Sequence, residues 1–423
     1  MGLKKIFTVA ILGLGARGGD SYGQTIQKSK DKFKIISLCD MRQERLDRFG
    51  DLFDVGKEER FLEETIFFEK KRADVLIIAT QDADHVRHAK KAFELGYDVL
   101  LEKPISDNYD ECVELLECQK KYGAKALVCH VLRYAPVFVK AAELLDNGEI
   151  GRLVAINALE RVGFWHQAHS YVRGNWRNSK QATPMILAKC CHDLDLLQYY
   201  VKSKCKSLSS IGDLTFFKKQ FAPKGATEKC VDCPHLDSCI YSAKRIYIQR
   251  WIDDGCPEDV FPFNTVAMAP NTKQNLTEAI EKTPYGRCVF LCDNDVVDHQ
   301  IVTMAFENGV KAELTMTAFT ETGGRRITFF GTHGELVLDE QDNELRLKKF
   351  HGDTIIFKME ELIEKGYNHG GGDKFLIEGL YDVLCGTVVA GTSLEESIES
   401  HLMGICAEKS RLNGGELVLV HKE

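Results

Sequence analysis

The stretch Val9–Asp20, VAILGLGARGGD, sets Gly13, Gly15 and Gly18 directly after an apolar run. The spacing G-x-G-x-x-G serves a dinucleotide diphosphate. Gly13 makes the tight turn, Gly15 lets the pyrophosphate approach the backbone, and Gly18 lets a helix pack close to the strand. Ala16 and Arg17 then open a helix whose N-terminus faces the phosphates. Asp40 ends the next apolar run, about 20 residues on, where a carboxylate takes ribose hydroxyls. Asp40 favours NAD over NADP, because it would repel a 2′-phosphate; Arg42 beside it leaves NADP open. A second landmark is VLLEKPIS, which puts Glu102 and Lys103 at the end of another apolar run. In a parallel sheet, ligands bind off the carboxyl ends of strands, so Lys103 is expected to point at the cofactor's reactive end.

The elements that must hold these residues alternate. Apolar runs at 6–12, "FKIISLCD", 73–80, 97–103 and "KALVCHVL" are separated by helical segments, the first reaching about Ser29. Continuously apolar strands alternating with helices predict a parallel sheet covered on both faces, a doubly wound domain over 1–130. After a helix at about 136–147 the pattern changes to hairpins with Asn-Gly and His-Gly turns. Residues 131–423 are therefore expected to form an α+β domain with a large open, mainly antiparallel sheet. It should contain helices near 185–201 and 393–412, and a polar cysteine-bearing insertion at about 218–290. The fold class is α/β.

Bulk composition narrows the function. The 423 residues carry a formal net charge of −8, so no basic surface invites nucleic acid or anionic lipid. No apolar stretch approaches a membrane span, and the short N-terminal apolar run flows into glycines without a cleavage site. The fifteen cysteines are expected to be reduced thiols in a cytosolic protein. In the insertion, KCVDCPHLDSC spaces Cys230, Cys233 and Cys239 as C-x2-C-x5-C. This suggests a structural zinc with Cys288 or Cys256 as fourth ligand, and Cys292 and His235 behind them. The segment 166–178, HQAHSYVRGNWRN, is expected as a loop whose His169, Tyr171 and Trp176 stack on and donate to a sugar. Arg133 and Tyr134 follow the last strand of the first domain, where the two domains meet. The triple glycine of NHGGGD (368–373) stands out but suggests no role beyond substrate contact.

The segments GLGARG, "CD" at 39–40, IIATQDADHVRHAKKAFELGYDVLLEKPIS, GEIGRLVAIN and HDLDLL together resemble the Gfo/Idh/MocA oxidoreductases, over nearly the whole chain. The resemblance implies NAD(P), oxidation or reduction of sugars and cyclitols, and a homo-dimer or homo-tetramer built through the open sheet. It implies that Lys103 contacts substrate and cofactor, that His192 is the proton acceptor, and that Thr80 and His85 line the nicotinamide side. Where the family often has an Asp four residues before that histidine, this chain has Ala188, with Lys189 next to it. If 185–201 is one helix, Lys189 and His192 share a face and form the proton relay in place of an Asp/His pair, and Asp195, a candidate substrate contact, lies one turn further on, placed to orient or acidify the site. The expected activity is hydride transfer between NAD and a ring hydroxyl of a sugar, glycoside or cyclitol. The alternative is a glycoside hydrolase or lyase that keeps NAD bound through a transient oxidation–elimination cycle. A nucleotide-sensing regulator without turnover is a third reading, disfavoured by the presence of Lys103 and His192.

Overall fold

The computed structural model describes residues 5–421. Six strands build the first sheet: β1 (Phe7–Leu12), β2 (Phe33–Cys39), β3 (Arg60–Phe61), β4 (Val75–Ile78), β5 (Asp98–Leu101) and β6 (Ala126–Val128). They run parallel in the order β3-β2-β1-β4-β5-β6. The order reverses between β1 and β4, and ligands bind at such a switch point. The glycine turn after β1 and the loop beginning at Thr80 after β4 therefore flank one crevice. Burial explains why the strand runs lack alternation: all four residues of β4 and three of four in β5 are buried. The apolar runs overshoot the strands: Glu102 still donates its N–H to the Ile78 carbonyl at 2.9 Å, while Thr80 and Lys103 lie past the strand ends. The two-residue edge strand β3 has no sequence signal of its own.

Nine strands build the second sheet: β7 (Leu153–Arg161), β8 (Cys205–Asp213), β9 (His299–Phe306), β10 (Lys311–Thr317), β11 (Gly324–Gly331), β12 (Gly334–Asp339), β13 (Glu344–Lys349), β14 (Thr354–Lys358) and β15 (Val418–Leu419). Their order is β14-β13-β12-β11-β7-β10-β9-β8-β15, antiparallel throughout except for the parallel pair β7 and β10. Asn308-Gly309 turns β9 into β10, with Gly309 at φ +93°, and His333-Gly334 leads from β11 into β12. Alternation is plain in β10, whose Ala312, Leu314 and Met316 are buried while the residues between them are not. The buried face packs on the helices Cys191–Val201 and Leu394–Leu412.

Three segments differ from expectation. The helix Gly372–Cys385 was not foreseen; it buries Leu376, Ile377, Leu380 and Leu384 on one face. Of the loop expected over 166–178, residues 166–173 are helical, and Ala168 and Val172, one turn apart, enter the core of the insertion. That insertion has an apolar core of its own, with Tyr247, Trp251, Phe263, Leu276, Ile280 and Phe290, where only polar sequence was expected.

Candidate active site

The glycine turn fits the role its spacing suggests. A Cβ on Gly18 would stand 1.9 Å from the Gly13 carbonyl oxygen, and one on Gly13, at φ +91°, would stand 2.4 Å from the Ala79 oxygen. Both close approaches leave room for hydrogen only. Gly15 is different: a Cβ there would meet nothing nearer than Arg45 Nη1 at 3.8 Å. The space over Gly15 is open, as a pyrophosphate requires. The helix beyond begins with a wide turn, in which the Asp20 N–H reaches back to the Gly15 carbonyl at 3.4 Å. Asp40 is buried and accepts from Leu14 N–H at 2.7 Å and Arg42 N–H at 2.9 Å, so the carboxylate is fixed beside the turn. These residues fit a dinucleotide: open backbone for the phosphates and an oriented acid for the ribose. The side chain of Arg42 points elsewhere, to Glu44.

Arg17 does something the motif does not reveal. Its guanidinium lies 2.7 Å from Glu102 and 2.7 Å from Asp373, and also donates to the Tyr22 hydroxyl. Asp373 belongs to the second domain and ends the NHGGGD segment. The arginine thus ties the glycine-turn helix, the end of β5 and the triple-glycine loop together. Arg17 holds the Asp373 carboxyl far below the usual carboxylate range against the cost of burial, and lowers that of Glu102 with help from Lys103. His369 stands 3.1 Å from Asp373 and turns its ring toward His192, centroids 6.4 Å apart. The sequence singled out this segment; only the tertiary contact gives it a place at the site.

Lys103 leaves the end of β5 and donates to the Ala188 carbonyl at 2.9 Å. The ammonium therefore bridges the sheet edge of the first domain to the segment that leads into His192. Glu102 Oε2 accepts the Lys103 backbone N–H at 2.9 Å. His192 is partly exposed, with its Nδ1 buried and unpartnered, so its Nε2 faces the accessible side. Burial, then Lys103, His130, Arg325 and His369, push its pKa well below the imidazole range, leaving a neutral ring that can accept a proton. His166 adds a second neutral imidazole, its pKa lowered by burial and by Lys189, His169 and Lys103.

Several expected site residues turn out to be committed elsewhere. The helix expected over 185–201 is broken: it runs Met185–Ala188, pauses at Lys189 and Cys190, and resumes at Cys191–Val201. Lys189 thus does not share an unbroken helical face with His192, and its ammonium pairs with buried Glu160 at 2.8 Å. Arg325 completes this network, 3.1 Å from Glu160 and 2.8 Å from Asp193. A lysine so paired is not a free base. Asp195 is buried and gripped by Arg133 through two bonds of 2.7 Å, so this pair is internal rather than substrate-facing. Tyr134 places its hydroxyl 3.1 Å from that of Thr392. His169 is buried, its Nδ1 3.1 Å from the Tyr247 hydroxyl and its ring stacked on Tyr285 at 4.9 Å; it belongs to the core of the insertion. Tyr171 is buried too, while Trp176 donates to Asp82 at 3.4 Å from a partly buried position. His85 is buried and bonds the Pro104 carbonyl at 2.6 Å, so it braces the Lys103 segment instead of facing the nicotinamide side. Thr80 keeps its place at the crevice with its hydroxyl 3.1 Å from His88.

The zinc expectation finds no support in the arrangement of the thiols. Cys230, Cys233, Cys239 and Cys288 do line one small cavity, but among the described residues no three His, Cys, Asp or Glu side chains are arranged to hold an ion. Their sulfurs are engaged otherwise. The Cys230 thiol donates to the Arg287 carbonyl at 3.7 Å and accepts from buried Arg173 at 3.5 Å. Burial raises the thiol pKa of Cys239 and Cys288, which keeps the proton on sulfur. Cys256 is exposed and left-handed, Cys292 bonds the Cys288 carbonyl, and His235 bonds the Lys224 carbonyl. Among the described residues no helix is long and apolar enough to cross a membrane.

Comparison with known families settles the ancestry of this arrangement. The description "Oxidoreductase family, NAD-binding Rossmann fold" matches residues 7–130, and "Oxidoreductase family, C-terminal alpha/beta domain" matches residues 142–411. The chain belongs to the Gfo/Idh/MocA oxidoreductase family. A relative in this family is a putative oxidoreductase, YteT of Bacillus subtilis, 23% identical and aligned over 97% of this chain and 98% of that protein. A 2,7-anhydro-N-acetylneuraminate hydratase of Escherichia coli is 26% identical over 34% of this chain and 37% of its own length. Among solved structures, the WlbA dehydrogenase of Bordetella pertussis in complex with NADH and UDP-GlcNAcA superposes with a TM-score of 0.67 at 14% identity. That superposition covers 99% of this chain and 100% of the other. This Gfo/Idh/MocA chain thus has an NAD-binding Rossmann domain and the family's C-terminal α/β domain.

Proposed function

We propose that the protein transfers hydride between NAD and a ring hydroxyl of a sugar, glycoside or cyclitol. The observation that carries this reading is the pairing of Lys103 with the Ala188 carbonyl, which sets an ammonium beside the neutral His192 at the switch-point crevice. NAD, held by Gly13, Gly15, Gly18 and Asp40, would supply the hydride acceptor. His192 Nε2 takes the hydroxyl proton, since a neutral imidazole is the base available at the accessible edge. The Lys103 ammonium steadies the developing alkoxide. His369, its ring 6.4 Å from that of His192, borders the same space and hydrogen-bonds a neighbouring hydroxyl. The Glu160–Arg325–Asp193 network holds Lys189 and the start of the helix Cys191–Val201, fixing where His192 stands.

A second reading keeps NAD through a redox-neutral cycle of oxidation, elimination and re-reduction. It is favoured by contacts from the insertion to the crevice: Arg48 lies 3.2 Å from Asp20 on the glycine-turn helix and 2.5 Å from Asp259 of the insertion. These pairs tie the insertion to the glycine-turn helix, and the hydratase relative bears a name that implies no net redox change. The test is a panel of sugars and glycosides with added NAD, following NADH absorbance and released aglycone together. Accumulating NADH supports net dehydrogenation, aglycone without NADH supports the redox-neutral cycle, and neither overturns both. Self-association through the second sheet belongs to the same proposal: Val154, Ile211 and Phe330 leave apolar side chains exposed on it, and light scattering checks it.

A further inference from the structure

His130 follows β6 and is fully buried. Its ring meets His192 edge-on, centroids 6.1 Å apart at 82°, and meets His401 at 5.7 Å. Both nitrogens of His130 lack a hydrogen-bond partner, as does Nδ1 of His192. Buried polar atoms ordinarily have partners, so three orphaned nitrogens on two adjoining rings need an explanation. His401 is not part of it: its Nε2 accepts the Ile105 N–H at 2.8 Å and its Nδ1 donates to the Ser397 carbonyl at 2.6 Å, which fixes its tautomer. His130 Nε2 instead stands 3.7 Å from Asp195 Oδ1. Asp195 is held by Arg133, whose Nη1 reaches the half-exposed Glu396 at 3.2 Å. A line of titratable groups thus runs from the accessible edge of His192 through His130 and Asp195 toward solvent.

The charges around His192 show why such a line is needed. Lys103, Arg325 and His369 face it, and Arg133 and Lys103 face His130, opposed there by Glu102 and by Asp195, whose Oδ1 lies 3.7 Å from Nε2. Both rings are held neutral, so an imidazolium formed at His192 would stand among cations. A proton taken there must leave as it arrives.

We propose that His130 is a relay and positioning residue for His192. The substrate hydroxyl gives its proton to His192 Nε2, and its O–H electron pair stays on oxygen. His192 Nδ1 passes its own proton to the nitrogen of His130 that faces it, and His130 Nε2 passes its proton to Asp195 Oδ1. Each imidazole ends neutral in its other tautomer, and one proton has moved from hydroxyl to carboxylate. Both steps need the rings to move closer when substrate binds: the 3.7 Å gap to Asp195 by about 1 Å, and the His192–His130 pair, edge-on with centroids 6.1 Å apart, into hydrogen-bond reach. The inference rests on the reading of His192 as the base, and the test separates the two.

The variant His130→Phe keeps the ring and its packing and removes both nitrogens. In the NAD-loaded full-length protein, ¹⁵N-histidine NMR should show His192 with its proton on Nδ1 in the native chain, and a mixed or reversed tautomer in His130→Phe. An unchanged His192 tautomer overturns the relay, whatever the substrate. With the most active compound of the sugar panel, His130→Phe should lower kcat about 10- to 100-fold at unchanged KM and steepen its rise with pH, because hydroxide must then take the proton. The change in pH profile is what a merely structural role would not produce. Loss of activity in His192→Asn with native kcat in His130→Phe overturns the relay and leaves the base; full activity in His192→Asn overturns the base itself.

Discussion

Two alanine substitutions three residues apart should separate binding from folding. At Gly15 the backbone sits at φ −78°, ψ −165°, which alanine adopts freely, and the new methyl would have only Arg45 Nη1 at 3.8 Å for company. Gly15→Ala should therefore leave the fold intact, or stabilise it by about 0.4–1 kcal/mol through the unfolded chain. The same methyl fills the space over which a pyrophosphate must approach. Loss of one charge-assisted backbone hydrogen bond costs about 1.5–3 kcal/mol, which weakens NAD binding about 10- to 150-fold. At Gly18 the situation is reversed. The methyl would stand 1.9 Å from the Gly13 oxygen and 3.1 Å from Ala79 Cβ, with no flexible side chain to give way. The helix must move off β1, at about 1–3 kcal/mol or more. Urea unfolding and calorimetric titration with NAD on both variants check this. Gly15→Ala that binds NAD as tightly as the native chain, or Gly18→Ala with native stability, would refute the reading of the turn.

Three further outcomes are expected. Lys103→Ala should abolish turnover while NAD affinity, measured by fluorescence titration, stays nearly native; full activity would remove Lys103 from the catalytic set. Asp373→Asn leaves the Arg17 guanidinium with Glu102 alone and should destabilise the fold by about 3 kcal/mol in urea at unchanged slope; a change under about 1 kcal/mol would show the cluster to be ornamental. The carboxyl of Asp20 is pushed up from 3.8 to about 6, chiefly by burial, with Asp259 adding and Arg48 opposing. A raised carboxyl pKa means that the folded state holds the proton more tightly, so stability falls as pH rises from about 4 to 6. Asp20→Asn should therefore gain over the native chain by up to about 3 kcal/mol at pH 8 and show no advantage at pH 4; thermal melts across that range would contradict this if the gap were constant.

How much of this was legible in advance follows from the range of the interactions involved. The glycine turn, Asp40 and Lys103 could be picked out in the sequence because each stands at a short-range spacing within a strand–turn–helix or at a strand end. The alternation of apolar runs and helices likewise specified the parallel sheet, and the Asn308-Gly309 and His333-Gly334 turns marked hairpins of the second. The unbroken helix over 185–201 failed because periodicity does not show the pause at Lys189, where Lys103 takes the Ala188 carbonyl and Glu160 takes the lysine. The thiol spacing suggested metal, but spacing fixes neither rotamer nor the direction of a sulfur already bonded to the Arg287 carbonyl.

The sequence by itself determined the dinucleotide turn, the acid beside it, the lysine at the strand end and the two-domain α/β plan, since each is written in local pattern and side-chain chemistry. Only the tertiary structure decided which charges meet: Arg17 with Asp373, Lys189 with Glu160, Arg133 with Asp195, and His192 against His130 and His369. These partners lie between 29 and 356 positions apart along the chain, Lys189 and Glu160 at 29 and Arg17 and Asp373 at 356. Electrostatic pairing in a buried site depends on distance in space and on desolvation, and neither is encoded in the spacing of residues along the chain.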